Sequence, residues 1–168
     1  SAIYFEKYVK NRAWNDLANA DWSTSFKGEL IDPKFNNLIW KTYIEDTNLE
    51  FSKITKTRDY IIKSETNFLI VTNYQVFNVL LGKTSASPVK FWYSSPLFED
   101  QNNKSKKKFD NFFLKKLKEN KIKKIIDIND TPFKLDNFIW LNKCSLKIEN
   151  KELDIVNVAV YEIKENCL

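Results

Sequence analysis

Glycine is nearly absent from this sequence: Gly28 and Gly82 are the only two in 168 residues. Average proteins contain about 7% glycine, so few positions here allow a backbone to approach a ligand closely. Phosphate-binding loops of the P-loop and dinucleotide types need several glycines at fixed spacings. The sequence therefore excludes both classes of nucleotide-binding loop.

Histidine is missing altogether, and Cys144 and Cys167 are the only cysteines. Without histidine, Ser-His-Asp and Cys-His catalysis and every His-ligated metal site are excluded. Two cysteines are too few for a structural zinc site or for a disulfide-rich secreted scaffold. We therefore predict no cofactor and no metal, and structural or incidental cysteines in a reducing cytosol or nucleus.

Targeting signals are not evident in the sequence. It contains no run of about 20 apolar residues, the length that crosses a membrane. The start at Ser1 is unlike a signal peptide, and the chain has no methionine. We expect an intracellular piece of a larger protein that makes no contact with a membrane.

Positive charge is concentrated in one segment. The net charge of the chain is +5, and residues 104–124 contain ten lysines against Asp110 and Glu119. Such a stripe predicts a solvated helix face that steers an acidic partner. The predicted basic patch consists of Lys104, Lys106, Lys107, Lys108, Lys115 and Lys116.

The pattern of apolar residues in the first half favours helices around short strands. It predicts a helix or a bent pair of helices over residues 3–18, a loop at 21–33, and a helix that Asp32 caps and that runs through Phe35, Leu38 and Ile39. It then predicts a polar loop at 45–58 and strands at 59–62 and 68–71. A helix follows, which begins after Thr72 and ends at Gly82.

The second half reads as strands around one helix. The pattern predicts a strand at 89–93, a long polar loop at 98–108 and a helix that starts at Phe109. Further strands are predicted at 125–128, 138–141, 146–148 and 156–163. One helix on a mixed sheet is the β-grasp pattern, so the whole chain is predicted to be α+β.

Residues 59–60, 67–82 and 87–90 together resemble the end of a DUSP domain, the domain present in ubiquitin-specific proteases. That family runs from a strand ending in valine, through a helix with a central aromatic, to a glycine and a proline-led strand. Phe77 matches the aromatic residue. Residues 27–32 resemble the family's Pro-Gly-Pro-Ile-Asp-Asn loop, but without its prolines, and residues 4–17 resemble its first helix.

This resemblance implies two domains. Residues 1–88 would form a DUSP-like three-helix bundle on a small antiparallel sheet, and residues 89–168 a ubiquitin-like β-grasp domain. In the family these modules lie outside the catalytic domain, where they bind proteins or modulate turnover. The chain itself would then be non-catalytic, and the parent's own catalytic domain is one candidate partner.

Two groups of residues are predicted to serve this role. Aromatic residues on loops are typical anchors of protein interfaces, so we predict a protein-interaction surface in the loop around Gly28. Residues near the end of the first domain are expected to fix the joint between the two domains. The interaction residues are Trp22, Phe26, Gly28 and Leu30, and the joint residues are Pro88, Trp92 and Tyr93.

Two alternatives use other chemistry. The lysine stripe can instead hold the phosphates of a nucleic acid, although the stripe lacks the arginine that often reads bases. Asp154 and Glu162 echo the carboxylates of a metal-dependent nuclease. On an unbroken strand these two residues would lie about 26 Å apart, and they could share one ion only if the chain turned between them, where Asn157 is the only turn-like residue.

Overall fold

The computed structural model describes residues 2–6, 21–41, 46–64, 66–72, 76–82, 86–89, 92, 103–129, 131 and 135–167. The chain divides into two compact units, Ser1–Thr55 and Lys56–Leu168. Helix α1 is the short turn Ala2–Tyr4. It overlaps the start of the helix predicted for residues 3–18, and residues 7–18 of that prediction fall outside the described residues.

The first unit contains a small two-stranded sheet. Strand β1, Phe26–Lys27, pairs antiparallel with β2, Ile39–Trp40. Three 3₁₀ turns lie before and between these strands, at Trp22–Thr24, Gly28–Leu30 and Pro33–Phe35. The predicted cap of the last turn is confirmed, because the Asp32 carboxylate accepts a hydrogen bond from the backbone N–H of Lys34 at 2.9 Å. The helix predicted to follow this cap is wrong beyond Phe35, because the turn ends there and Ile39 lies on β2.

Helix α2, Thr47–Lys63, replaces a predicted loop and a predicted strand. Its buried face mixes apolar and polar side chains: Thr47, Glu50, Lys53, Ile54, Thr57 and Ile61. These positions follow the 3.6-residue period of a helix, but only two of them are isoleucine. The apolar residues alone therefore do not reveal the helical period of this segment. The predicted loop at 45–58 and the predicted strand at 59–62 are both wrong.

The second unit is built on a four-stranded mixed sheet in the order β3-β4-β6-β5. Its strands are β3 (Phe68–Val71), β4 (Lys124–Asp127), β5 (Ser145–Ile148) and β6 (Ala159–Ile163). Strands β3 and β4 are parallel, and the other two pairings are antiparallel. The strands predicted at 68–71, 125–128 and 146–148 are confirmed.

Among the described residues, six helical segments accompany this sheet. They are α3 (Val76–Leu81), α4 (Lys104–Glu119), α5 (Ile139–Cys144), α6 (Lys151–Asp154) and the 3₁₀ turns Leu135–Asn137 and Glu165–Cys167. The predicted stop of α3 is confirmed at Gly82, whose φ of 58° lies in the left-handed region that favours glycine.

Three strand predictions in this unit need correction. The segment 138–141 contains the start of α5 rather than a strand. The last strand begins at Ala159, because Asn157 has a φ of 57° and turns the chain between α6 and β6. Of the strand predicted at 89–93, Val89 lies in a bend and Trp92 lies outside any strand, and the remaining residues fall outside the described ones.

Helix α4 supplies the centre of the core of this unit. Phe113 and Leu117 are at most 1% exposed, and Phe113 contacts the rings of Trp92, Phe138 and Trp140 at centroid distances of 5.2–5.8 Å. Aromatic pairs at these distances and tilts pack favourably. The cluster holds α4 by one face and leaves the opposite face to solvent.

The predicted boundary at residue 88 does not coincide with the observed division. Strand β3 precedes that boundary and β4 follows it, yet Phe68–Val71 is hydrogen-bonded along its length to Lys124–Asp127. The first compact unit instead ends at Thr55. The chain is a mixed α and β protein, which is compatible with the predicted α+β class.

Candidate interaction surface

Helix α4 begins earlier than the sequence pattern indicates. The side chain of Asn103 accepts a hydrogen bond from the backbone N–H of Ser105 at 2.9 Å, which caps the first turn. Residues 104–108 therefore belong to the helix rather than to the loop predicted at 98–108. Residues 98–102 of that loop lie outside the described residues.

Five lysines of α4 lie on its solvent side, and we call them the lysine face. At 3.6 residues per turn, their spacing places them opposite the buried Phe113 and Leu117. All five are exposed: Lys104, Lys107, Lys108, Lys115 and Lys118. Folding thus gathers one sign of charge on one side of one helix.

Lys106 does not belong to this face, which corrects the prediction that placed it in the basic patch. It is 2% exposed. Its Nζ lies 3.2 Å from Asp110 Oδ1 and 4.2 Å from the centroid of the Phe138 ring. The helical period turns residue 106 toward the core, where the carboxylate and the aromatic ring offset the cost of burying its charge.

Glu119 is the acidic residue that accompanies the lysine face at its C-terminal end. Lys116 Nζ donates to Glu119 Oε2 at 2.9 Å, and Lys115 Nζ lies 3.6 Å from Oε1. The hydrogen bond from Lys116 lowers the pKa of Glu119 below its ordinary value. Glu119 is therefore ionised and already paired, and the partly exposed Lys116 is paired with it.

The other lysines of the face keep their charge uncompensated. Within the described part of the chain, Lys104, Lys107, Lys108 and Lys118 take part in no ion pair. A row of such charges attracts an acidic partner and raises its rate of association.

The two cysteines form a disulfide, a pairing that the sequence analysis did not predict. Their Cα atoms are 5.6 Å apart. Cys144 ends α5, and Cys167 ends the 3₁₀ turn after β6. The register of β5 and β6 pairs Ser145 with Ile163, and the backbone N–H of Lys164 donates to Cys144 O at 2.8 Å. Strand pairing thus brings the cysteines together.

A bridge of this kind bears on the compartment of the protein. Structural disulfides are typical of oxidising compartments and rare in the cytosol and nucleus. The pairing therefore counts against the reducing compartment that we expected from the sequence.

A groove of about 480 Å³ lies between α4 and the bridge. Leu114, Cys144 and Cys167 form its apolar lining, and Lys115 and Lys118 of the lysine face belong to it as well. Sequence analysis missed this groove, because Leu114 and Cys167 lie 53 positions apart in the sequence. Among the features of the sequence, only the spacing of the lysines indicates this part of the surface.

The apolar side chains of the predicted interaction loop in the first unit differ in their exposure to solvent. Trp22 and Leu30 are 41% and 59% exposed. Phe26 instead packs against the rings of Trp40 and Phe51, at centroid distances of 6.1 and 4.9 Å. One of the three apolar side chains predicted for contact, Phe26, therefore anchors the loop to its own unit.

Gly28 is buried, and its role is steric. A Cβ at this position would lie 2.7 Å from the backbone oxygen of Phe35 and 2.9 Å from its Cβ. The two 3₁₀ turns approach each other closely enough that only glycine fits without a shift. Gly28 thus shapes the loop and offers no surface for a partner.

The structure describes two of the three residues predicted to form the joint between the domains. Trp92 is 1% exposed and packs against Phe113 in the core of the second unit. Pro88 is half-buried, and Tyr93 lies outside the described residues. Trp92 therefore stabilises one unit, rather than a joint between residues 1–88 and 89–168.

Asp154 and Glu162 do not lie on one unbroken strand. Asp154 ends α6, Glu162 lies on β6, and the turn at Asn157 separates them. No group of three or more histidine, cysteine or acidic residues that could hold a metal ion is found among the described residues.

Of the helices that the structure describes, none has the length and apolar character needed to cross a membrane. The chain matches no protein-family model, no curated protein sequence and no solved structure.

Proposed function

We propose that this chain is a non-catalytic binding module that docks an acidic protein partner on the lysine face of α4. The observation that carries the proposal is a set of four exposed lysines that form no ion pair with any described residue, Lys104, Lys107, Lys108 and Lys118. Exposed charges of one sign act mainly on the rate of association and lose strength with salt. The partner is therefore captured by charge and retained by other contacts.

The test compares two charge reversals that change the net charge equally. Lys107→Glu with Lys108→Glu alters the lysine face. Lys147→Glu with Lys151→Glu, at two exposed lysines away from α4, is the matched control. The probe is poly-glutamate, whose association with the chain is followed by stopped-flow fluorescence.

We expect the first variant to lower the association rate about tenfold at low salt, and the control to change it much less. Physiological salt should reduce the difference, because screening weakens exposed charges. Equal effects of the two variants would contradict the proposal, since net charge alone would then explain the binding.

Binding of a nucleic acid is a second candidate, and the exposed ring of Phe112 favours it. Phe112 is 42% exposed, and Lys116 Nζ lies 5.7 Å from its centroid. Single strands bind where bases stack on aromatic rings beside positive charges. Its neighbours Phe109 and Phe113 pack in the core, so Phe112 would act alone in stacking.

An oligothymidylate distinguishes this candidate from the first. Nucleic-acid binding predicts that affinity falls steeply from low to physiological salt. It also predicts that Phe112→Ala weakens binding about fivefold or more, the loss of one stacked base. If oligothymidylate binds in this way and poly-glutamate does not, the nucleic-acid function replaces the first proposal.

We also carry forward the resemblance to ubiquitin-specific proteases as a proposal about the parent protein. In it, this chain is an intracellular DUSP and ubiquitin-like region that regulates a cysteine deubiquitinase. One observation supports it: Phe68–Val71 is a strand ending in valine, and Val76–Leu81 is a helix with the buried Phe77 that stops at Gly82.

Two observations count against this family. Strand β3 pairs with β4, so one sheet takes strands from both predicted domains. The Cys144–Cys167 bridge is atypical of the compartments in which such proteases would act. The intact mass of the native protein, with its sequence beyond Leu168, is the test. A longer chain with the catalytic cysteine and histidine boxes would support the family, and a longer chain without them would reject it.

A further inference from the structure

We propose that the groove between α4 and the Cys144–Cys167 bridge is a docking site for an acidic peptide segment that carries one large apolar side chain. This inference rests on the proposed function of the lysine face. It adds what the partner must present: an apolar anchor with acidic residues beside it.

The apolar part of the site comes from three residues. Leu114 lies on α4 between the lysines, and the half-buried Cys144 and Cys167 face it across the groove. The volume of about 480 Å³ lies in the range of natural ligand pockets. Leu114 and the bridged sulfurs place little polar surface there, so an apolar side chain loses few hydrogen bonds to water by entering.

The charge of the surroundings selects an acidic segment. Lys115 and Lys118 line the groove together with Glu119, and Glu119 is already paired with Lys115 and Lys116. The rest of the lysine face continues along α4 as far as Lys104. At 1.5 Å per residue this face is about 21 Å long, which an extended peptide of about six residues can follow.

The disulfide completes one wall of the groove. It joins the end of α5 to the turn Glu165–Cys167, beyond the last residue of β6. Within the described residues after Lys164, the disulfide is the covalent cross-link that attaches the turn Glu165–Cys167 to the end of α5 beside the groove. Reduction breaks the bond between the two sulfurs and lets the wall move away from Leu114.

The experiment uses the full oxidised chain and a fluorescein-labelled peptide in which a single leucine lies between two runs of glutamate. Fluorescence anisotropy measures its affinity. Replacing the leucine of the peptide by alanine should weaken binding about tenfold, as expected from the apolar surface that a leucine buries. This change leaves the protein untouched, so it cannot act through misfolding.

A variant of the chain gives the complementary measurement. Leu114→Gln should weaken the leucine peptide while leaving the alanine peptide nearly unchanged. Val79→Gln is the matched control, because Val79 is an exposed apolar residue (57%) of another helix of the same unit, outside the groove. Circular dichroism verifies that both variants remain folded.

Reduction tests the wall. Dithiothreitol gives up two electrons and two protons, which turn the bridge into two thiols, and ends as a cyclic disulfide. We expect a loss of about threefold or more in affinity for the leucine peptide, with no loss for poly-glutamate. The double variant Cys144→Ser with Cys167→Ser should behave like the reduced chain.

Two results would overturn the inference. Equal affinity for the leucine and alanine peptides would exclude the apolar anchor. Unchanged affinity after reduction of a folded chain would exclude the bridge as a wall of the site. In either case the salt-dependent association of poly-glutamate reports separately on the lysine face, so the failure of this inference is distinguishable from the failure of the proposed function.

Discussion

Side-chain exposure is determined differently in the lysine face of α4 and in the loop from Trp22 to Leu30. The five lysines of the face are all exposed, opposite the buried Phe113 and Leu117. In the loop, Trp22 and Leu30 are exposed while Phe26 packs on Trp40 and Phe51. In the helix, the 3.6-residue period determines which side chains face solvent. In the loop, the contacts of each side chain determine whether it is exposed or packed.

The disulfide beside the lysine face carries the largest expected effect. Cys144→Ser with Cys167→Ser removes a cross-link across 23 residues. In the chain-entropy model, such a loop stabilises a protein by about 3 kcal/mol. We expect the free energy of unfolding in urea to fall by that amount without a change in fold. An unchanged stability under oxidising conditions would show that the bridge does not form in solution.

Lys106 differs from the other five lysines of the predicted basic patch because it is buried. Lys106→Ala should lower the free energy of unfolding by about 2 kcal/mol, because it leaves Asp110 without its partner and removes packing on Phe138. Lys107→Ala, on the lysine face one residue along, should change it by less than about 0.5 kcal/mol. Chemical denaturation of the two variants measures the difference. Equal losses would place both lysines in the same environment.

Gly28 tests the loop in the same way. Gly28→Ala should lower the free energy of unfolding by about 1–2 kcal/mol, because the added Cβ meets the backbone oxygen of Phe35. Leu30→Ala, two residues along at an exposed position, is the control and should stay within about 0.5 kcal/mol. A stable Gly28→Ala protein would mean that the two 3₁₀ turns lie farther apart than described.

Glu119 carries the smallest expected effect, which is a change of titration. Its pKa is held below the ordinary value, first by the hydrogen bond from Lys116. A carboxyl whose folded pKa is lowered stabilises the fold above its unfolded pKa, and this contribution is lost as the pH falls through the folded pKa. NMR titration should place Glu119 below a normal glutamate, and Lys116→Ala should raise its midpoint. No movement in the variant would assign the shift to another cause.

The local features of the fold were largely predictable. The Asp32 cap, the Gly82 stop and the strand Phe68–Val71 depend on residues near one another in the sequence. The lysine face follows from helical spacing, except that the predicted start at Phe109 missed the cap at Asn103. For the same reason the sequence pattern places Lys106 in a loop and predicts an exposed lysine, where the helix buries it.

Helix α2 shows where the apolar pattern fails. Its buried face includes Glu50, Lys53 and Thr57. Trp40 donates a hydrogen bond to Glu50 Oε1 at 3.1 Å. Polar side chains on a buried helix face carry no apolar signal, so the sequence pattern indicates a loop here.

By itself, the sequence determined which chemistry is absent and where charge accumulates. The lack of histidine and the two glycines exclude whole classes of site, and the spacing of the lysines sets a basic helix face. Only the tertiary structure decided that Cys144 meets Cys167, that β3 pairs with β4, and that a groove forms beside Leu114. The physical reason is range: caps and helical periods act over a few residues, whereas strand register and cross-links join residues that lie far apart in the chain.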